Sequence, residues 1–270
     1  MIKTLFRLLQ TLKRGLRLTD FVVLASLFLV LMTENYGRQA SQTRQSPPLN
    51  IATVNHLDPT DFTAEELRYL QKRFGVHGPQ TPLAQLFTRG IDHLQPLRAQ
   101  TVNRLDELKP VIVRESKRYR VNPMLVTAIL FDEIQHLKPG EDIPFVAHSG
   151  LLKTHGPAQL GISELIHQKR LPQNPTEEQI SSARNLLLNP ESNIELLAGK
   201  IARLKDDLGL PSNALIHASR SYKHAKAIAT LAYLHNGKLD YPARILRYMQ
   251  DPELHGLIYS QRSSAQLPLI

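Results

Sequence analysis

The chain has 270 residues, of which 42% are hydrophobic, and it carries a formal net charge of +9 without a single cysteine. This length and hydrophobic fraction are typical of a globular protein with one main core, and they exclude a largely disordered chain. The lack of cysteine excludes disulfides, thiolate metal ligands and a cysteine nucleophile.

The first 33 residues combine a basic stretch with a hydrophobic one. Five basic residues precede Phe21 against Asp20 alone, a local net charge of +4, and FVVLASLFLVLM then ends at Met32. Twelve apolar residues are fewer than the roughly 20 of a full membrane span. Three interpretations are therefore possible: a signal peptide, a short signal anchor or a buried N-terminal helix. Because no convincing cleavage site follows Met32, we expect a retained anchor in the inner membrane with its basic end in the cytoplasm. The remaining chain is then exported to the periplasm or cell envelope.

The charge of the remaining chain is modest. Residues 21–270 carry only about +5, and no basic stripe interleaved with aromatics, zinc-ligand spacing or recognition-helix pattern accompanies that charge. The sequence therefore argues against nucleic acid as a partner. A mildly basic exported domain suits a polyanionic envelope, although a solvated basic surface explains the charge equally well.

Helical signals dominate the chain after a linker. Residues 34–60 are rich in Gln, Ser, Arg, Asn and Pro, which predicts a linker. Thr63 and Glu66 then have capping-box spacing, and apolar residues recur at helical intervals until Gly75. The further predicted helices are 82–94, 96–107, 109–120, 123–137, 158–168, 176–188, 190–208, 212–218, 221–236 and 241–250. With no alternating stretch of strand length and no internal repeat, the predicted fold class is mainly α.

The stretch NPMLVTAILFDEIQHL, residues 122–137, places two acids at the end of a run that is otherwise apolar. A helix that is apolar almost all round is expected to be buried. Glu133 shares a face with apolar neighbours, whereas Asp132 lies about 100° around the helix towards His136. Burial disfavours the ionised form of a carboxyl group, which is the property that a general acid needs near neutral pH. The alternative is a structural ion pair with Lys138, Arg118 or another base.

Four short blocks around this helix follow one another along the chain. They are VNPMLVTAILFDE, THGPAQLGIS, NPESNIELL and AYLHNGKLDY. In this order they resemble the lytic transglycosylase and goose-type lysozyme family, in which a helix ends in the catalytic Glu, a groove-lining turn follows, and an Asn-bearing helix and a Tyr-Asn-x-Gly segment complete the site. The resemblance implies a lysozyme-like catalytic domain over residues 108–250. A helical extension, 61–107, then precedes the domain and a C-terminal tail, 251–270, follows it.

The resemblance also assigns roles to residues. It implies that Glu133 is the one indispensable acid, that Asn193 is structural, and that Asn236 belongs to the last block of the site. The turn that lines the glycan groove is matched by Gly156, Gln159, Leu160 and Ile162, with Gln159 as a hydrogen-bonding residue. The implied partner is the muramic-acid glycan of peptidoglycan, and no metal or cofactor is required.

The chain departs from the family pattern at three points. Ile134 stands where the family has Ser after its Glu, and His235 takes the position of its Tyr, with Tyr233 and Tyr241 as candidate substitutes. The interval from the acid to Gln159 is 26 positions, longer than in the family, so it contains an insertion. These departures leave open an inactive relative that only binds glycan.

Two routes of glycan cleavage remain open. A muramidase that hydrolyses the bond needs a second carboxylate, and Glu141 and Asp142 in the insertion are the candidates. Without a second carboxylate, the resemblance implies the transglycosylase route. Glu133 then protonates the leaving oxygen and afterwards takes a proton from the sugar's own 6-hydroxyl, which leaves a 1,6-anhydro end.

A metal-binding alternative comes from spacing alone. Glu133-x-x-His136 and Glu164-x-x-His167 have the spacing that di-iron helical bundles use to place two ligands on one face. Only 31 positions separate the two pairs, and prolines and glycines in that interval leave no room for long parallel helices. We therefore rank a di-iron protein far below glycan cleavage.

Overall fold

The computed structural model describes residues 58–75, 95–137, 153–211, 216 and 221–260. In these residues the chain forms α1 (Ala64–Phe74), α2 (Gln95–Arg118), α3 (Pro123–Gln135), β1 (Thr154–His155), β2 (Leu160–Gly161), α4 (Ile162–His167), α5 (Glu177–Leu188), α6 (Pro190–Asp207), α7 (Tyr222–Asn236), α8 (Tyr241–Tyr248) and α9 (Pro252–Tyr259). The prediction of a mainly α fold is confirmed. The predicted helices 82–94 and nearly all of 212–218, the segment 1–33 and most of the insertion lie outside these residues.

In the part of the chain that the structure describes, no helix has both the length and the apolar character needed to cross a membrane. The N-terminal anchor therefore stays a prediction.

The first described helix begins and ends as its sequence predicts. The Thr63 side chain accepts a hydrogen bond from the Glu66 backbone N–H at 3.1 Å, and the Glu66 carboxylate accepts one from the Thr63 N–H at 2.8 Å. Gly75 closes α1 in the left-handed region with φ 65°. The predicted capping box is therefore confirmed, and a left-handed glycine explains why the helix ends there.

Helix α2 corrects one prediction. The sequence predicts two helices, 96–107 and 109–120, whereas the structure has one helix from Gln95 to Arg118 with Pro110 inside it. Pro110 lacks the N–H of one intrahelical hydrogen bond. Leu105 and Leu108 before it and Ile112 after it are buried in the same core, and this shared burial keeps the helix continuous. The domain boundary expected between residues 107 and 108 therefore falls inside a helix.

Helix α3 lies in the centre of the core. All its residues from Met124 to Gln135 are buried except Ile134, and it packs against α2, α8 and α9. Asn122 caps its start, because its side chain accepts a hydrogen bond from the Met124 N–H at 2.8 Å. The Asn122 amide also donates to the Ile216 carbonyl at 2.8 Å. The continuous apolar run thus forms a buried helix, as expected, and its two acids enter the core with it.

A short strand pair replaces the beginning of the predicted helix 158–168. Thr154 pairs with Gly161 and His155 with Leu160 in antiparallel fashion, and α4 begins only at Ile162. The chain reverses through two left-handed residues, Gly156 with φ 73° and Gln159 with φ 46°. The helical periodicity of this stretch was misleading because left-handed residues do not continue an α-helix.

The C-terminal region contains a further helix. The predicted helix 241–250 ends at Tyr248, and α9 begins at Pro252 within the segment expected as a tail. Asp251 caps α9 by accepting hydrogen bonds from the N–H groups of Glu253 and Leu254 at 2.9 and 3.2 Å. Leu254 is fully buried, so α9 is part of the core.

Candidate active site

Glu133 lies near the C-terminal end of α3 with its side chain only 11% exposed. Its Oε1 accepts hydrogen bonds from the Tyr241 hydroxyl at 2.9 Å and from the Asn236 amide at 3.1 Å. The His235 Nε2 lies 3.4 Å from the same oxygen. The structure thus brings together four residues that the sequence predicts for the site.

The contacts of Glu133 are one-sided. All three neighbours approach Oε1, and Oε2 receives no hydrogen bond from any residue that the structure describes. A carboxyl oxygen without a protein donor can accept a hydrogen bond when the group is ionised and can donate one when the group is protonated. Among the described residues, Oε2 is therefore the oxygen of Glu133 that is open to a further partner.

Two neighbouring helices bring these groups to Glu133. His235 and Asn236 are the last two residues of α7, and Gly237 ends that helix in the left-handed region with φ 81°. Its N–H donates to the Tyr233 carbonyl at 2.7 Å, which fixes the end of the helix. The chain then turns into α8, whose first residue is Tyr241. A tight connection between two helices thus aligns three side chains on one carboxyl group.

His235 is not a cationic partner of Glu133. Burial of the ring lowers the pKa of His235, and the positive charge of Lys200 lowers it further, while the neighbouring acids Glu133 and Glu164 act in the opposite direction. The ring is therefore neutral at pH 7. Arg118, an alternative ion-pair partner, lies elsewhere and contacts Glu115 and Glu195, and Lys138 lies outside the described residues.

Tyr241 provides a stable neutral donor. Burial raises the pKa of the Tyr241 phenol well above its ordinary value, and the neighbouring carboxyl groups of Glu133 and Asp132 raise it further. The hydroxyl therefore keeps its proton and can donate it in a hydrogen bond. The second candidate substitute, Tyr233, does not reach the acid. Its ring lies 5.3 Å from that of Phe62, and its buried hydroxyl has no hydrogen-bond partner among the described residues.

Asp132 has a different environment from its neighbour in sequence. Arg244 contacts both its oxygens, with Nε 2.7 Å from Oδ1 and Nη2 3.1 Å from Oδ2. Burial alone raises the pKa of Asp132, but hydrogen bonds from His136 and Arg244, together with their charges, outweigh burial and lower the pKa. Arg244 also contacts Asp240 at 2.5 Å. Asp132 is therefore an ionised structural residue. The two adjacent acids have different partners, because Arg244 binds Asp132 whereas Tyr241 and Asn236 bind Glu133.

The turn predicted to line the groove is held from beneath by Asn193. The Asn193 side chain donates to the carbonyls of His155 and Leu187 at 3.0 and 2.9 Å and accepts from the Ala158 N–H at 2.7 Å. A Cβ added at Gly156 would lie 2.2 Å from the Leu187 carbonyl oxygen and 2.5 Å from the Asn193 amide nitrogen. Gly156 thus allows close packing of the turn against α6.

The other turn residues differ in exposure. Leu160 is buried and Ile162 packs partly buried against the core. Gln159 is half-buried, accepts a hydrogen bond from the Thr154 hydroxyl at 2.7 Å and donates to the Gly156 carbonyl at 3.1 Å. Gln159 and Ile162 are therefore partly accessible, whereas Gly156 and Leu160 serve the packing of the turn.

Of the other acids considered above, Glu141 and Asp142 lie outside the described residues. Glu164 is buried in an ion pair with Arg203 at 2.9 Å and accepts a hydrogen bond from Gln168 at 3.0 Å. Among the described residues, no three His, Asp or Glu side chains are placed to hold a metal ion, so the di-iron alternative gains no support.

Two residues near the site were missed by the sequence analysis. Lys200 follows Asn193 by seven positions on α6, so it lies on the buried side of an amphipathic helix, and that position was a usable signal. Arg244 follows Asp240 by four positions on α8, but its pairing with Asp132 spans 112 positions and had no local signal.

Comparison of the chain with protein-family models, with curated proteins and with solved structures gives no match.

Proposed function

We propose that this protein cleaves the glycan strands of peptidoglycan with Glu133 as a single general acid and base. The observation that carries the proposal is the set of neutral donors on one oxygen of Glu133, which leaves its other oxygen available. A Lys or Arg in contact with the carboxyl group would hold it as a carboxylate, and no Lys or Arg of the described residues forms an ion pair with Glu133. The substrate class comes from the resemblance of the four sequence blocks to lytic transglycosylases.

The reaction needs two proton transfers. Glu133 Oε2 first donates its proton to the glycosidic oxygen as the bond from that oxygen to C1 of the muramic-acid residue breaks. The 6-hydroxyl of the same sugar then forms a bond to C1 and gives its proton to the Glu133 carboxylate. The product has a 1,6-anhydro end, and Glu133 regains its starting state. Neither a second carboxylate nor water takes part, so the proposal does not depend on Glu141 or Asp142.

The proposal also covers the fold and the cellular location of the enzyme. We propose a lysozyme-like arrangement of the helices around Glu133, an inner-membrane anchor in residues 1–33 and action in the periplasm or cell envelope. The basic residues before Phe21 and the apolar residues after it support the anchor. A single membrane attachment close to the cell wall gives the enzyme access to its substrate.

Digestion of purified peptidoglycan by the full chain tests the proposal. The native protein is expected to release muropeptides with 1,6-anhydro ends, identified by mass spectrometry. Glu133→Gln is expected to release none, because the amide is nearly the same size but does not transfer a proton. Glu191→Gln, at an exposed position on α6, is the matched control and is expected to keep full activity.

Two results would contradict the proposal. Equal release by the native protein and Glu133→Gln would remove Glu133 from the reaction. Reducing ends in place of anhydro ends would indicate hydrolysis with a second acid, which Glu141→Gln and Asp142→Asn would then identify.

A further inference from the structure

Arg244 connects the start of α8 to the end of α3 through a buried ion pair. Its guanidinium contacts both oxygens of Asp132, with Nε 2.7 Å from Oδ1 and Nη2 3.1 Å from Oδ2. Asp132 directly precedes Glu133 on α3, and Arg244 follows Tyr241 by three positions on α8, so each helix presents two neighbouring side chains. The two helices therefore meet in two adjacent contacts, one from Arg244 to Asp132 and one from Tyr241 to Glu133.

The same guanidinium also holds the first turn of α8. Asp240 occupies the N-cap position of α8, where an Asp side chain usually accepts a hydrogen bond from a backbone N–H of the first turn. Among the described residues Asp240 accepts no such hydrogen bond, and its Oδ2 lies 2.5 Å from Nη1 of Arg244. A helix of eight residues is too short to be stable alone, so its position depends on its contacts with the rest of the protein. Arg244 is thus bound to the start of α8 and to α3 at once.

The Tyr241 side chain lies against this guanidinium. The centre of its ring is 5.4 Å from the guanidinium carbon of Arg244, and its hydroxyl donates to Oε1 of Glu133 at 2.9 Å. The ring is fully buried, and close packing leaves little room for it to move independently of its neighbours. A planar guanidinium whose three nitrogens are all in contact with carboxylates has a fixed orientation. Arg244 therefore restricts where the ring and the hydroxyl of Tyr241 can lie.

We propose that Arg244 is a positioning residue, which holds the Tyr241 hydroxyl on Oε1 of Glu133 by binding Asp132 and Asp240 at the same time. This inference rests on the proposed function for its catalytic meaning. A buried ion pair is often no more stabilising than well-packed apolar residues of similar volume, so stability alone does not account for it. Precise placement of α8 against the helix that carries the candidate acid does.

A variant that lacks both charges of the pair is the starting point of the test. Asp132→Asn combined with Arg244→Met, the neutral-pair variant, removes the ion pair without leaving one buried charge unpaired, so the fold is expected to be kept. Urea unfolding checks this expectation. If the neutral-pair variant fails to fold, Arg244→Lys takes its place, because an ammonium group does not reproduce the planar fork on Asp132.

A double-mutant cycle in urea unfolding tests the proposal without reference to activity. Tyr241→Phe is made in the native protein and in the neutral-pair variant. In the native protein it is expected to raise the unfolding equilibrium constant about 2- to 10-fold, the factor for one hydrogen bond. In the neutral-pair variant the factor is expected to fall below about two, because the hydroxyl is no longer held on Glu133. An ion pair that only stabilised the fold would leave the two factors equal.

Arg98→Met is the matched control. Arg98 also contacts two carboxylates, those of Asp251 and Glu253 at 2.8 and 2.7 Å, and its guanidinium carbon lies 5.1 Å from the centre of the Phe131 ring. It joins α2 to α9 in the way that Arg244 joins α8 to α3. Tyr241→Phe is therefore expected to have its native effect in the Arg98→Met background.

The rate of anhydro-muropeptide release provides the second measurement. At saturating peptidoglycan, the neutral-pair variant is expected to release fragments about 2- to 10-fold more slowly than the native protein, as Tyr241→Phe does. The peptidoglycan concentration that gives half the maximal rate is expected to stay the same, because Arg244 acts on the acid and not on substrate binding. Addition of Tyr241→Phe to the neutral-pair variant is expected to slow release by less than a further factor of about two.

Four results would overturn the proposal. They are equal factors for Tyr241→Phe in the native protein and the neutral-pair variant, no effect of Tyr241→Phe in the native protein, loss of its effect in Arg98→Met, and a native rate of release in the neutral-pair variant. If the unfolding cycle shows the expected coupling while the native protein releases no fragments, the proposed function fails and the positioning of Tyr241 by Arg244 stands.

Discussion

Tyr241 and Glu133 are joined by a hydrogen bond of 2.9 Å, although 108 positions separate them in the sequence. Both side chains are buried, and hydrogen bonds in surroundings of low dielectric constant are stronger than those in water. The bond couples the first residue of α8 to the last part of α3. It therefore ties the orientation of the candidate acid to the turn between α7 and α8.

Replacement of Tyr241 by Phe is expected to lower the rate of glycan cleavage without unfolding the protein. A hydrogen bond between neutral groups contributes about 0.5–1.5 kcal/mol, which corresponds to roughly a 2- to 10-fold lower rate. Release of anhydro-muropeptides at saturating peptidoglycan measures the effect. Tyr259→Phe, at an exposed position on α9, is the control and is expected to keep the native rate. Equal rates in the two variants would contradict the role of the hydroxyl.

Gly156→Ala is expected to destabilise the protein more than an equivalent change elsewhere. A left-handed φ in alanine costs about 1–2 kcal/mol, and overpacking against Leu187 and Asn193 adds about 1–3 kcal/mol. Gly209 has nearly the same φ, 69° against 73°, but its Cβ would meet nothing within 4 Å. Urea unfolding of Gly156→Ala and Gly209→Ala therefore separates the two contributions. Equal losses of unfolding free energy would mean that the turn adapts to the added methyl group.

Asp132→Asn is expected to change the pH dependence of stability. Because hydrogen bonds and charge lower the pKa of Asp132 in the folded state, its contribution is present above the ordinary value of about 3.9 and is lost as the pH falls through the lower folded-state pKa. The variant is expected to lose roughly 2–4 kcal/mol of unfolding free energy at pH 7, since the buried Arg244 then keeps Asp240 as its one ion-pair partner among the described residues. Between about pH 4 and pH 2, the unfolding free energy of the variant is expected to fall by less than that of the native protein.

Urea unfolding at pH 7, 4 and 2 measures this difference. Parallel loss of stability in both proteins over the acidic range would show that Asp132 does not titrate with folding.

Lys226→Met is expected to loosen α1 without affecting the site. The Lys226 ammonium donates to the Asp61 carbonyl at 2.7 Å, contacts Glu66 at 3.2 Å and lies 4.1 Å from the centre of the Phe62 ring. Loss of these partly exposed contacts corresponds to about 1 kcal/mol, or roughly fivefold faster hydrogen exchange in α1. Lys223→Met, one turn earlier on α7 at an exposed position, is the control. Faster exchange in both variants would assign the effect to α7 itself.

The local structure of this chain was largely predictable where a side chain forms a hydrogen bond with residues close to it in the sequence. Thr63 with Glu66 marks the start of α1, and Asn122 with Pro123 marks the start of α3. These signals act over two or three residues, so the sequence displays them directly. Pro110 misled the prediction because buried residues on both sides of it keep α2 intact, and burial depends on contacts with distant helices.

The sequence predicts which residues belong to the candidate site but not how their side chains are arranged. Glu133 was selected by its apolar surroundings, and Asn236, His235 and Tyr241 by the resemblance of one short block. The sequence could not decide between Tyr233 and Tyr241, because both lie within eight positions of His235. It also could not show that Asp132 and Glu133 have different partners, since Arg244 and Asp132 are 112 positions apart in the sequence.

Three side chains contact Oε1 of Glu133, and these contacts determine the order of events on the proposed route. A single atom, Oε2, must deliver the first proton and collect the second. The departing saccharide therefore has to clear that atom before the 6-hydroxyl arrives, while the muramyl residue stays in place. Such a sequence makes dissociation of one half of the strand an obligatory step between bond breakage and ring closure.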